Sequence, residues 1–237
     1  MSEARSRIET DRLLERKAQL DSRIAADPAL AERMRRLQAW QAQRLERTYA
    51  DLRAGAVTAA AVGFFLSDLY GPQDFARRDT ELTRAWGALR RTLPLSALEI
   101  LILAIELEVL SEELDLAMAE RLAPGPVTAA SYARAYREVA RPAARRRQIE
   151  LILEVGGRLD RAVRIPLVGV ALRAARTPAR ILGFGTMQDF IERGFGAFAG
   201  MPSAEPLLAA IREREIAFMK SQLGEAPGDA AAADGAV

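Results

Sequence analysis

"LSALEILILAIELEVLSEELDLAMAERL", residues 95–122, is the stretch on which the fold turns. Ser96 and Glu99 form a Ser-x-x-Glu capping-box pattern just after Pro94, so one long helix is expected from there to Leu122. Its acids fall in two rows. Glu99, Glu106, Glu113 and Glu120 repeat every seven residues and drift by only about 20° per heptad on a 3.6-residue helix. Glu108, Glu112 and Asp115 lie on nearly the opposite side. If one row faces water, the other turns toward neighbouring protein, which places this helix at the centre. Glu106 and Glu113 sit among Leu103, Ile105, Leu107, Val109 and Leu110, and a carboxylate taken from water needs a partner or a proton. Partners are at hand: Arg134 to Arg180 holds twelve arginines against Glu138, Glu150, Glu154 and Asp160. Pairing of the acidic helix with basic helices is the expectation.

Outward from that helix the chain is long enough, at 237 residues and half apolar, for a folded domain. It has no Cys, no His and no Asn, and its lysines are Lys17 and Lys220 alone, so nearly all positive charge is Arg. Its own side chains therefore cannot build a Cys/His zinc site, a thiolate nucleophile, a Ser-His-Asp triad or the Glu-x-x-His pairs of a di-iron bundle. No cofactor and no metal is predicted. The charged opening "MSEARSRIETDRLLERK" lacks an apolar core of the signal-peptide type, which with the missing Cys points to the cytoplasm. No apolar run approaches the ~20 residues that span a bilayer.

Residues 5–53 read as two charged helices, the second starting where Asp27 caps and Pro28 begins it. The first is poor in apolar residues and is expected either to join the bundle or to project and pair with another chain. Ala54 to Tyr70 reads as one apolar central helix stopped by Gly71-Pro72, and a further helix runs from Asp74 to Arg91. After residue 122, Thr128 caps a helix carrying Tyr132 and Tyr136, an amphipathic helix covers Ala143 to Arg164, and a short one ends at Arg176. Thr177-Pro178 is expected to cap a helix through Phe195, and a last helix spans Ser203 to Leu223. No segment alternates as a strand would. The fold class is all-α: a single bundle of about seven to nine helices, with residues 1–53 as charged N-terminal helices, 54–223 as core and 224–237 as a disordered tail.

Four features bear on function. "GFFLSDLYGPQDFARRD", residues 63–79, gathers aromatics, aspartates and an Arg-Arg pair at a helix corner, where Tyr70, Arg78 and Asp79 could line a pocket. The acidic row offers Glu106 and Glu113. Arg134, Arg137, Arg141 and Arg145 to Arg147 form a local basic patch, but a net charge of +2 and the lack of any nucleic-acid signature make nucleic acid a poor partner. "GFGTMQDFIERGFGAFAG", residues 183–200, fails the dinucleotide fingerprint. Its glycines, with Gly156, suit close helix approach or an apolar ligand beside Phe190, Phe195 and Phe198.

"FFLSDLY", residues 64–70, resembles the "FFLEELY" motif that names a family of bacterial proteins. Phe64, Phe65, Leu66, Leu69 and Tyr70 match it, and Ser67 and Asp68 replace its two glutamates. "ELEVLSEELD", "RRRQIELILEVG" and "FIERGFGAF" are similar to that family too, so the resemblance runs from about Trp40 to Met219. It implies a small helical domain and brings no catalytic residue with it.

Together these readings predict a non-enzymatic helical protein that binds a partner or a small ligand. The ligand version has a small anionic or apolar molecule held by Tyr70, Arg78, Asp79, Glu106, Glu113 and Arg193. The partner version has a second protein or a homodimer through the N-terminal helices. The alternatives are an enzyme working through carboxylate, Tyr and Arg groups alone, and binding of an anionic surface or nucleic acid by the Arg-rich region 134–180.

Overall fold

The computed structural model describes residues 3–66 and 95–224. Among these residues the chain forms ten helices and no strand. They are α1 (Glu3–Ala26), α2 (Pro28–Thr48), α3 (Ala50–Ala54), α4 (Ala59–Phe64) and α5 (Leu95–Ala119), then α6 (Ala129–Val139), α7 (Pro142–Ala162), α8 (Pro166–Ile181), α9 (Gly185–Ala199) and α10 (Glu205–Leu223). The helix expected over Asp74 to Arg91 and the tail beyond Gly224 lie outside the described residues.

Local chemistry sets most of the helix ends. Asp27 accepts from the amides of Ala29 and Leu30, both at 3.0 Å, and Pro28 supplies a preset first residue for α2. Thr128 and Ser131 close a reciprocal capping box on α6. Proline opens α7 and α8 in the same way. Gly224 ends α10 in the left-handed conformation, at φ 80°.

Helix α5 is the axle: from Ala97 to Ala119 none of its residues is exposed. Helix α2 packs along it through Leu37 and Leu45, α6 through Tyr132, and α7 through Ile149 and Ile152, with α10 adding Leu207, Ile211 and Met219 to the same core. A second cluster joins Leu13 of α1 to Leu98, Ile102, Ile105 and Val109 of α5 and to Met187 of α9. Helix α1 therefore lies on the body of its own chain. Two fixed points make it parallel to α5: Arg16 meets Glu113 and Arg23 meets Glu120.

Three expectations about elements need correcting. The apolar run from Ala54 is not one central helix: Gly55 to Thr58 form a turn between α3 and α4, Thr58 donates its hydroxyl back to the Leu52 carbonyl, and Val57 is exposed. Thr177-Pro178 does not begin a helix, because α8 runs straight through Pro178 to Ile181. Pro178 lies on the exposed side, where the carbonyl that loses its amide partner meets water. The stop comes instead at Gly183, φ 79°, a backbone setting glycine adopts without strain. Helix α5 closes at Ala119 rather than Leu122.

Candidate functional site

The heptad row on α5 is fully matched with arginine. Glu106 is gripped by Arg147 of α7 in a two-point clamp, Nε to Oε1 at 3.0 Å and Nη2 to Oε2 at 3.1 Å, while the same guanidinium donates to Glu154 at 2.9 Å. Those bonds push the Arg147 pKa upward. Glu99 takes Arg158, also from α7. Glu113 and Glu120 are held by Arg16 and Arg23 of α1. The expected acidic-to-basic pairing is thus present, but only half of it comes from the region 134–180. The other half comes from α1, and the spacing of Arg16 and Arg23, seven residues like that of Glu113 and Glu120, was the sequence signal for it. From the second row Glu112 pairs with Lys17 at 3.2 Å.

Asp115 sits in a buried polar cluster that sequence reasoning did not assemble. It is 9% exposed and accepts from Gln41 Nε2 of α2 at 2.8 Å. Burial pushes its carboxyl pKa up, against the opposing pull of Arg145 and of the Gln41 bond. Arg145, 7% exposed, donates to Gln148 Oε1 at 3.2 Å and lies 4.6 Å from the Tyr136 ring centre. Gln148 in turn donates to Ser111 at 2.8 Å. Burial raises Tyr132 and takes Tyr136 to about 12. A neighbouring group is built on Glu215 of α10, which accepts from Arg44 at 2.6 Å and from the Tyr49 hydroxyl at 2.8 Å.

Of the predicted site residues, Glu106, Glu113 and Arg193 are among those described. Tyr70, Arg78 and Asp79 lie outside the described residues. Glu106 and Glu113 are two helical turns apart, about 10 Å along the axis, and are held by arginines from different helices. Arg193 stands on the exposed side of α9. An open cavity of about 250 Å³ has Glu113, Glu120, Arg16, Arg23 and Arg141 in its wall, and another of about 350 Å³ lies against Trp40, Arg36 and Val127. Neither has Glu106 or Asp115 in its wall. Among the described residues no three acids gather as a cation would require.

Folding separates the three consecutive arginines of the basic patch. Successive residues of a helix point about 100° apart, and of the three consecutive arginines Arg145 turns inward, Arg146 outward and Arg147 to Glu106. Arg134 pairs with Glu138 at 3.8 Å, and Arg137 reaches the Gln222 carbonyl at 3.4 Å.

The glycine-rich stretch proves structural. A methyl group at Gly194 would lie 2.8 Å from the ring of Phe64, and one at Gly156 would lie 2.5 Å from Leu208. Gly183 and Gly196 have open space beside them and serve no such approach. Phe64 also packs on Phe190, ring centres 5.3 Å apart, and Phe65 meets Tyr49 edge-on at 6.3 Å. The described half of "FFLSDLY" is therefore core.

Helix α8 is different. It rests on α9, to which it is fixed by Gln188 donating to the Leu172 carbonyl at 2.8 Å and by the pairs Arg176–Glu192 and Arg180–Asp189. Its outer side carries Leu167, 75% exposed, Val170, 52%, and Ile181, 79%, with Leu182 beyond its end at 65%. Leu167, Val170, Ala171, Ala174, Pro178 and Ile181 follow helical spacing, so they form one continuous apolar ridge.

Among the described residues, Glu113 and Glu120 thus border an open cavity, Glu106 and Asp115 line neither of the two, and α8 carries an outward apolar ridge. The chain belongs to the family DUF8198, described as a domain of unknown function, whose model matches residues 20–227. No curated protein matches it, and no solved structure does.

Proposed function

We propose that this chain is a non-enzymatic helical interaction protein. Its ionised side chains serve chiefly to fix helix against helix, and its dealings with other molecules take place on its outer surface. The pairing of the heptad row supports this most directly. Glu106 holds Arg147 through both of its oxygens, and that clamp ties α5 to α7. The "FFLSDLY" signature fits the same reading, since Phe64 and Phe65 are occupied in packing.

Two measurements test it. Glu106→Gln should lower stability by about 0.5–1 kcal/mol, the modest worth of a pair that water still reaches. A rise in stability would instead mark an acid held against its own preference for function, and would overturn the reading. Native mass spectrometry of the purified protein should give the bare chain mass or a multiple of it. A retained small-molecule mass would replace this reading with the ligand-binding one, in which Arg193 joins Tyr70 and Arg78 around an anion.

A further inference from the structure

The ridge on α8 can be matched to an occupant by charge, shape and area. Between Arg161 and Arg193 the chain carries six arginines and two acids, Asp189 and Glu192, and α8 itself has three arginines and no acid. Arg173 is exposed on the flank of the ridge, and Arg176 and Arg180 lie on the same flank nearer α9. Arg176 and Arg180 are paired with Glu192 and Asp189, so the surface is apolar at its crest with the charge of Arg173 beside it.

A second copy of the chain is a poor fit. A 16-residue helix is about 24 Å long, and with a width of ~10 Å its footprint is roughly 240 Å². A standard stable interface buries about 800 Å² on each partner. Nucleic acid is a poor fit as well, because phosphates would have to be met by the arginines while the crest of the surface is Leu, Val and Ile. A bilayer fits both features. It accepts a convex apolar ridge without a complementary groove, takes it to a depth of about 5–10 Å, and its anionic headgroups meet the flanking charge of Arg173. No described helix is long and apolar enough to cross the membrane, so the contact would be peripheral.

We propose that α8 docks this protein on an anionic phospholipid surface, with Leu167, Val170 and Ile181 entering the headgroup boundary and Arg173 facing lipid phosphate. This rests on the reading of the chain as an interaction protein, but it fails separately. A bare chain mass leaves that reading standing whatever vesicles do.

The test is flotation of the full-length protein with vesicles of phosphatidylglycerol and phosphatidylcholine, and with phosphatidylcholine alone. The expected result is co-flotation with the anionic vesicles, weakened by added salt. The double substitution Leu167→Glu with Ile181→Glu should cut binding at least about tenfold while circular dichroism and thermal melting stay unchanged, since both side chains are exposed. Arg173→Glu should reduce it several-fold. No flotation at low salt, or flotation indifferent to the double substitution, overturns the proposal. So does a wild-type dimer that the double substitution converts to monomer without any lipid effect, which would make a second copy the occupant.

Discussion

Gln41 of α2 donates to Asp115 of α5 across 2.8 Å, with both side chains buried. The amide can make the same bond to a neutral oxygen, so Asp115→Asn should stay within about 1 kcal/mol of the wild type at pH 7. Asp115→Ala leaves Gln41 without its acceptor and removes an anion whose charge Arg145 feels, and should cost about 2–3 kcal/mol. Because burial raises the Asp115 pKa from 3.8, its contribution to stability is present below that value and is lost as pH rises through the folded-state pKa. Urea unfolding at a series of pH values should show that loss in the wild type and not in Asp115→Asn.

Asp51 and Glu192 work in the opposite direction. Arg214 holds the Asp51 carboxyl down to about 2 from 3.8, and Arg176 with Gln188 holds Glu192 at about 2 from 4.5. Depressed carboxyls stabilise the fold above their ordinary values, and that stability disappears as pH falls from about 4.5 toward 2. Both pairs are solvent-exposed, so they should add a shallow loss of stability within that window. Arg214→Gln and Arg176→Gln should each flatten the fall, since each removes the partner that depresses the pKa. An unaltered acid limb in both variants would refute the assignment.

Two glycines two residues apart on α9 should respond in opposite ways to the same change. Gly194→Ala drives a methyl group into the Phe64 ring, and overpacking of this kind costs about 1–3 kcal/mol, more than the helix propensity that alanine adds. Gly196→Ala meets nothing within 4 Å, so propensity alone should stabilise by about 0.5–1 kcal/mol. Thermal melting of the two variants gives the comparison, and Phe64→Leu should rescue Gly194→Ala.

The all-helical class, the central place of α5 and the caps at Asp27 and Thr128 are legible in sequence, because each depends on neighbours a few residues away. The run after Ala54 misleads because alanine and valine are apolar on every side and mask the break at Gly55. Thr177-Pro178 looks like a helix start, but proline removes only one amide donor, and an exposed helix face tolerates that. The buried cluster is harder to see. Nothing local distinguishes Arg145 from Arg146, since only the packing of α7 on α5 decides which of them turns inward. For the candidate site, the pairing of Glu106 and Glu113 follows from the cost of burying charge, but the identity of their partners depends on which helices lie alongside.

The seating of α1 has an aliasing problem. Leu13 and Leu20 are seven apart, as are Arg16 and Arg23, and the facing glutamates repeat with the same interval. A helix displaced by one heptad, about 10.5 Å, would bring leucines and arginines back over equivalent places. Lys17 breaks the degeneracy. In the present register it meets Glu112, whereas one heptad earlier on α5 it would press an ammonium against Ile105. Arg16 would then compete with Arg147 for Glu106. A single lysine, in a chain that otherwise writes its positive charge almost wholly as arginine, acts as the key that lets a periodic surface lock at one position.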